Sequence, residues 1–225
     1  MISHEKMISH ATEDYLKAIY ELEEDFGRVS TSALAERLGV VPASVTGMLQ
    51  KLADGRPKLV NYERHHGVVL TSAGRKIALE IIRHHRLIEL YLSESLGFEW
   101  DKVDAEAEKL EHVISEEFED KIAARLGDPT VDPHGDPIPS KDGTIAAHSR
   151  LPLSDMEAGQ TVRVTRVRDD DPAFLRYLAE LGIGPRATLA ILEKSPFDGP
   201  MHVTVGERSH ALGKNVTDKI FVEVE

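Results

Sequence analysis

The sequence predicts a mainly α-helical protein with small β parts: a winged helix-turn-helix, a helical domain and a C-terminal SH3-like β-barrel. Two short helix patterns around a glycine turn are followed at once by a hairpin pattern. Two long stretches then repeat apolar residues at steps of three and four, and the last segment alternates apolar and polar residues. We expect domains at residues 1–75, 76–127 and 153–225, with 128–152 as a proline-rich linker.

Composition narrows the possible functions before any motif is considered. The 225 residues include no cysteine and carry a formal net charge of −12. The absence of cysteine excludes disulfides, thiolate zinc sites and a cysteine nucleophile. No stretch has the apolar length of a membrane span or the pattern of a signal peptide, so we expect a cytoplasmic protein. The negative charge argues against nucleic acid as a partner unless the charge is unevenly distributed.

The charge is in fact uneven along the chain. Basic residues outnumber acidic ones from Gln50 to Lys76, and acidic residues dominate from Glu99 to Asp120. This order is expected if the first segment meets an anion and the second collects cations.

Residues 12–52 predict three helices, of which the second and third form a helix-turn-helix. Thr12 is expected to cap a first helix that runs to about Glu24. Ser30–Gly39 predicts a short helix that ends at its glycine, and Pro42–Leu52 predicts the recognition helix. Small outward side chains let such a helix enter a major groove, where hydroxyls bond bases or phosphates. The expected DNA-facing residues are Pro42, Ala43, Ser44, Thr46, Gln50 and Lys51.

A hairpin is predicted directly after the recognition helix. Lys58–Thr71 reads as two short strands around a turn at His65, His66 and Gly67. In this place a hairpin is typical of a wing, and Arg64 could follow a phosphate strand. Ordinary loop chemistry is the alternative for the turn residues.

An acidic stretch, Asp104–Asp120, predicts part of a continuous helix from Asp101 to about Leu126. Its apolar residues recur at helical spacing as one stripe: Ala107, Leu110, Ile114, Phe118 and Ile122. Beside the stripe lie Asp104, Glu108, Glu111 and His112. Carboxylates and an imidazole are costly to bury without a positive charge, which a divalent cation would supply. A solvated acidic face is the alternative.

Further candidate ligands lie outside this helix. His85 and Glu89 are one turn apart on a helix predicted from Thr71 to about Leu96, although such a pair is also typical of a surface hydrogen bond. Asp132 and His134 flank a proline within the linker, which otherwise reads as a connector without a packed core. The run Asp169–Asp171 is typical of a solvated turn and helix cap.

The C-terminal segment predicts a small barrel. A helix is expected near Phe174–Leu181. Period-two alternation predicts strands at Thr161–Val167, Ala187–Leu192, Met201–Val205 and Ile220–Val224.

Several motifs, in this order and spacing, resemble the metal-dependent repressors of the diphtheria toxin repressor family over nearly the whole chain. The region around Leu175–Ile183 is similar to the FeoA-type SH3-like domain of the longer members. The motifs that carry the resemblance are Thr12–Leu16, Ala33–Leu38, Leu70–Arg75, His85–Leu87, Glu111–His112 and Asp132–Pro139.

The resemblance implies a winged-helix domain, a helical metal-binding and dimerisation domain, and an appended barrel. It implies a homodimer that binds a palindromic operator when metal-loaded. The expected function is a Mn(II)-activated repressor of metal-homeostasis genes that is not an enzyme. Fe(II), or another divalent transition metal, is the alternative effector.

The resemblance also implies ligands. Asp14, Glu108, Glu111 and His112 match the primary metal site by position; read from the sequence alone, Asp14 would be a first-turn helix charge. Oxygen ligands where iron-sensing members have sulfur favour Mn(II). Several members have a second metal site at the positions of His85 and Glu89. Asp132 and His134 resemble the second-site ligands of a manganese-sensing subgroup, with aspartate in place of cysteine. An acidic residue from the barrel completes that site in some relatives, which would be Asp170 or Asp171 here.

Three positions depart from the family pattern. Asp104 stands where iron-sensing members have a histidine ligand, so we expect Asp104 not to be a ligand. Lys17 replaces an acidic ligand of short manganese regulators, which favours two separated sites over a close binuclear cluster. Gly47 replaces a base-reading glutamine, so no operator sequence can be transferred.

Two other functions are compatible with parts of the sequence. A winged-helix regulator could carry an acidic core that is purely structural and does not respond to metal. A metallohydrolase could use glutamate and histidine to activate water. No His-Glu-x-x-His motif is present, and a hydrolase leaves the winged helix unexplained.

Overall fold

The computed structural model describes residues 8–168 and 171–225. The chain folds as two compact units. Among the described residues, one unit contains those up to His84 together with Pro139–Thr144, and the other contains His85–Ile138 together with those from Ile145 to Glu225. None of the helices in the described part of the chain combines the length and the apolar character that crossing a membrane requires.

The first unit contains three complete helices and a hairpin, followed by the start of a fourth helix. The complete elements are α1 (His10–Phe26), α2 (Thr31–Leu38), α3 (Pro42–Asp54), β1 (Val60–Glu63) and β2 (Gly67–Leu70). The strands pair antiparallel, with Val60 opposite Leu70. The hydroxyl of Ser30 accepts the Ala33 N–H at 3.1 Å to begin α2, and Gly39 ends the helix in the left-handed conformation. The predicted helix-turn-helix and wing are confirmed.

One face of each helix forms the core of this unit. Val45, Leu49 and Leu52, at three- and four-residue spacing, are the buried side of α3. The opposite side of α3 is therefore left at the surface. The core also includes Leu16, Ile19, Leu34, Val60 and Val68.

The predicted start of α1 is wrong. The helix begins at His10, with Ser9 as its N-cap residue, and Thr12 lies inside the first turn. The Thr12 hydroxyl lies 3.0 Å from that of Ser9. Asp14 therefore stands beyond the first turn, where the helix dipole explains its presence less well.

The helical part of the second unit is built from α4, α5 and α6. Their bounds are Ser72–Leu96 for α4, whose first half belongs to the other unit, Val103–Leu110 for α5 and Glu116–Arg125 for α6. Their core consists of Leu87, Ile88, Leu90, Leu92, Val103, Ala107, Ile122, Ala123 and Ile138.

The predicted continuous acidic helix is wrong, because the chain leaves helical geometry between α5 and α6. The hydroxyl of Ser115 accepts the Phe118 N–H at 3.3 Å and starts a new helix. Three carboxylates in the first turn of α6 favour a helix N-terminus at this point. As a result the expected apolar stripe is broken, and Leu110 and Phe118 are exposed.

Within the predicted linker, residues 131–138 form a loop that packs against the helical core. Val131 and Pro137 form an antiparallel bridge, so this stretch, the ligand loop, closes on itself. Ile138 packs into the helical core, and Asp132 and His134 are buried.

The remainder of the second unit is a five-stranded antiparallel sheet. The strands are β3 (Thr161–Val167), β4 (Thr188–Lys194), β5 (Met201–Val205), β6 (Arg208–Leu212) and β7 (Ile220–Val224). Their order is β6-β5-β4-β3-β7. Two helices accompany the sheet, α7 (Pro172–Leu181) and the short α8 (Lys214–Thr217). The SH3-like domain is confirmed, but the sequence did not predict β6, because Arg208-Ser-His-Ala-Leu212 ends with its single large apolar residue.

Candidate metal centre and DNA-binding surface

Three buried side chains form the first candidate site, and all belong to the second unit. Glu89 comes from the middle of α4, and Asp132 and His134 come from the ligand loop. One ligand atom from each lies within 4.8 Å of the other two. Their exposed fractions are 3%, 6% and 7%. The structure thus adds Glu89 to the predicted pair of Asp132 and His134. From the sequence, Glu89 was paired with His85.

The His134 ring is held in one orientation by Trp100. Its Nε2 lies 2.9 Å from the main-chain oxygen of Trp100, and the two rings stack with centroids 5.6 Å apart. A carbonyl oxygen only accepts, so Nε2 carries the proton and Nδ1 carries the lone pair. Nδ1 is the nitrogen that faces Glu89, at 3.7 Å. This is the tautomer that a metal ligand needs.

The loop itself orients Asp132. Its Oδ1 accepts the N–H groups of His134 and Asp136 at 2.8 and 2.9 Å. On the other side, Arg86 donates to the carbonyl of Pro137 at 2.6 Å, and its Nε lies 3.7 Å from Asp132 Oδ2. No role was predicted from the sequence for Arg86 or Asp136. Arg86 directly follows His85 in the family motif, and this position was the signal that could have identified it.

The electrostatics of this site favour a cation. Burial, with the negative charges of Glu89 and Asp136, raises the pKa of Asp132 to about 7. Burial opposes a charge on His134, but the nearby Glu89 and Asp132 outweigh it and raise the pKa of the imidazole. Buried carboxylates that repel one another gain most from a positive charge placed among them.

His85 lies between two further groups of carboxylates. Its Nδ1 lies 2.5 Å from Glu111 Oε2 and 3.7 Å from Glu108 Oε2. Its Nε2 lies 3.3 Å from Asp104 Oδ1 and 3.5 Å from Glu89 Oε1. Asp104, which we expected not to be a ligand, forms one group of potential ligands with His85 and Glu89.

Glu111 and His112 stand at the end of α5. Glu111 is the C-cap residue and is completely buried, while His112 follows it in the turn. Glu111 Oε1 lies 3.5 Å from His112 Nε2, and its Oε2 contacts His85. Glu108 is exposed one turn earlier. Three of the four expected primary ligands are therefore neighbours within the second unit.

The remaining expected ligands come from other elements of the chain. Asp14 is on α1, in the first unit, and is partly buried. Asp171 is the N-cap residue of α7 and accepts the Ala173 N–H at 2.8 Å, as the helix-cap reading expected. Asp170 lies outside the described residues. Among the described residues, no group of three potential ligands includes Asp171.

The donor set fits a divalent transition metal. Every candidate offers a carboxylate oxygen or an imidazole nitrogen, and the chain has no cysteine. Oxygen with one or two imidazoles suits Mn(II) and Fe(II) better than the soft ions that thiolates select. The alternative of a solvated acidic face does not fit Glu111, which is completely buried, although Glu108 is exposed.

The outer side of α3 is a surface that fits DNA. Pro42, Ala43, Ser44, Gln50 and Lys51 are exposed, as is Arg64 beside the hairpin turn. Thr46 is only partly exposed, and its hydroxyl donates to the Pro42 carbonyl at 3.1 Å, so its methyl group is the part left for contacts. At Gly47 an added Cβ would meet nothing within 4 Å, which leaves bare backbone on this face.

Three family models match the chain. Residues 7–68 match the N-terminal DNA-binding domain of iron-dependent repressors, residues 71–140 match their metal-binding and dimerisation domain, and residues 151–224 match the FeoA domain.

Individual relatives and solved structures agree with these models. The iron-dependent repressor IdeR of Mycobacterium leprae is 30% identical over 224 residues, covering 94% of this chain and 96% of the relative. The regulator MntR of Bacillus subtilis is 38% identical over 116 residues, covering 52% and 80%. A manganese-dependent transcriptional repressor solved with manganese has a TM-score of 0.87 at 39% identity, covering 95% of this chain and 100% of that one.

Proposed function

The chain belongs to the iron-dependent repressor family, and from this premise we propose that it is a Mn(II)-activated, DNA-binding transcriptional repressor of metal-homeostasis genes. The observation that carries the metal dependence is the buried group Glu89, Asp132 and His134, whose histidine is held in the ligand tautomer. A repressor acts where the chromosome lies, so a cytoplasmic location is part of the proposal.

The residues that contact DNA in this proposal are those of α3 and the wing. Ser44 and Gln50 can bond base edges, while Lys51 and Arg64 neutralise phosphates. Gln50, Lys51 and Arg64 belong to the basic segment of a chain whose net charge is −12. The acidic second unit opposes approach to DNA until some of its charge is neutralised.

Two groups of ligands are proposed. Asp14, Glu108, Glu111 and His112 form the primary site, supported by their matching family positions and by the proximity of the last three. His85, Glu89, Asp132 and His134, with Asp104, form the second site, supported by the distances above. A bound divalent ion supplies positive charge that lets these carboxylates remain ionised and close together.

The residues of the chain provide the switch. Without a cation, Glu111, Glu89 and Asp132 repel their carboxylate neighbours, and the arrangement that gathers them is disfavoured. The ion has a higher affinity for the gathered arrangement, so it shifts the population toward that state. We propose that this state sets the spacing of two recognition helices on a palindromic operator.

A homodimer is part of the proposal. Large apolar side chains remain exposed on the helical part of the second unit: Leu96, Phe98, Leu110, Val113 and Phe118. An apolar surface of this kind is expected where a second copy packs. These residues lie within the segment that matches a dimerisation domain.

The operator sequence is unknown, so the test of the proposed function begins by selecting it. Random-sequence duplexes selected by the protein with Mn(II) would give the operator, and fluorescence anisotropy would then compare affinities in Mn(II), Fe(II) and EDTA. We expect a palindrome and tight binding in metal only. Equal affinity for DNA in metal and in EDTA would instead favour the regulator that does not respond to metal. The ratio of the DNA affinities measured in Mn(II) and in Fe(II) identifies the effector.

A further inference from the structure

The ligand loop lies against β3 of the SH3-like domain. The Val167 N–H donates to the carbonyl of His134 at 2.9 Å. A Cβ at Gly135 would come within 2.1 Å of the Thr165 carbonyl oxygen, so the two backbones touch. Both contacts involve the ligand His134 or its immediate neighbour, which means that β3 determines where this part of the loop lies.

A partly buried ion pair reinforces this contact. Nη1 of Arg166, on β3, lies 3.1 Å from Asp136 Oδ1, and Arg166 is only 4% exposed. Its guanidinium also lies 4.3 Å from the centre of the Phe221 ring. The pair links Asp136 of the ligand loop to a buried cation of β3, so it helps to hold the loop against this strand.

Asp136 joins the two sides of the loop. The same Oδ1 that faces Arg166 lies 3.4 Å from Nη2 of Arg86, on α4. The Asp136 N–H donates to Asp132, which is itself a proposed ligand. A chain of contacts thus runs from Arg166 through Asp136 to Asp132, while the Val167 contact reaches His134 directly.

From this geometry we infer that Arg166 is a positioning residue for the second metal site. The SH3-like domain then raises the affinity of Glu89, Asp132 and His134 for the metal through the side chain of Arg166, which is not itself a ligand. The inference rests on the proposed function, because it assumes that these three residues bind Mn(II). Residues that orient ligands typically change metal affinity by about ten- to a hundredfold.

The test replaces Arg166 by methionine, which retains the apolar part of the side chain over Phe221. Arg163→Met is the matched control, because Arg163 lies on the same strand but makes a half-exposed ion pair with Glu223. Mn(II) would be titrated into each full-length protein, with free Mn(II) followed by electron paramagnetic resonance. Trp100, the single tryptophan of the chain, stacks on His134 and gives a second, local fluorescence signal.

We expect Arg166→Met to bind Mn(II) about tenfold or more weakly at the site that changes Trp100 fluorescence, with Arg163→Met unchanged. Asp136→Asn should weaken Mn(II) binding at the same site to a similar degree. This variant tests the inference if Arg166→Met does not fold. If both variants titrate like Arg163→Met, the inference is wrong while the proposed function stands. If the wild-type protein binds no Mn(II), both fail together.

Discussion

Nδ1 of His85 lies 2.5 Å from Oε2 of Glu111, so two buried side chains of α4 and α5 share a hydrogen bond. An imidazole that donates through Nδ1 keeps its lone pair on Nε2, which faces Glu89 and Asp104. His85 therefore orients a proposed primary ligand with one nitrogen and offers a ligand to the second site with the other.

Replacing His85 by alanine should weaken both sites. The second site loses a ligand, and Glu111 loses the donor that orients it, so we expect Mn(II) affinity to fall by at least about tenfold at each. Electron paramagnetic resonance of free Mn(II) measures this directly. His202→Ala, in β5 of the sheet, serves as the control. A loss confined to the second site would show that the hydrogen bond to Glu111 does not matter for the primary site.

Replacing Glu111 by glutamine should weaken metal binding without lowering the stability of the metal-free protein. The metal-free protein should be as stable as the wild type or more so, because a neutral side chain replaces a completely buried carboxylate. When free Mn(II) is at a hundred times Kd, its binding to one site raises the free energy of unfolding by about 2.7 kcal/mol. Thermal unfolding with Mn(II) and with EDTA should show that the variant has lost much of this increase. A full Mn(II)-dependent increase in Tm would remove Glu111 from the ligand set.

Replacing Gly135 by alanine should displace the ligand loop. The new Cβ would meet the Thr165 carbonyl, and the residue has a φ of +91°, so strain of at least about 1–3 kcal/mol is expected. We expect a lower Tm and weaker Mn(II) binding at the second site. Gly127→Ala is the matched control, since Gly127 also has a positive φ but nothing within 4 Å of its added Cβ. Equal effects at the two positions would mean that the contact with β3 is unimportant.

Two substitutions on α3 should affect DNA binding differently. Lys51→Ala should weaken binding to all sequences and reduce the salt dependence of log affinity by about one unit, because one phosphate contact is lost. Gln50→Ala should cost about 1–3 kcal/mol on the selected operator and relax the preference at one base pair. Anisotropy at several salt concentrations distinguishes the two, with Lys109→Ala on α5 as the control. Identical salt slopes for Lys51→Ala and Lys109→Ala would contradict the assigned role of Lys51.

The elements defined by local signals could be predicted from the sequence. Ser30 and Gly39 bound α2 by capping chemistry, and the alternation in Thr161–Val167 defines β3, because both signals act over a few residues. The break after α5 also had a local signal, Ser115 before consecutive glutamates, but the apolar spacing across it suggested a continuous helix.

The second site could be predicted only in pieces. His85 with Glu89, and Asp132 with His134, are visible as neighbours in sequence. Their convergence depends on the packing of Ile138 into the helical core, which no local pattern encodes. The stacking of Trp100 on His134 and the pairing of Asp136 with Arg166 join residues 34 and 30 positions apart, and both depend on the same packing.

A single oxygen, Oε1 of Glu89, faces both His85 Nε2 and His134 Nδ1. One ion held there would tie α4, α5 and the ligand loop together at one point. In a chain without cysteine, such an ion acts as a removable cross-link: it binds the folded arrangement but not the unfolded chain, so its binding free energy adds to the stability of the fold. Resistance of the second unit to proteolysis would then depend on the supply of metal, so the cell could control the lifetime of this protein as well as its activity.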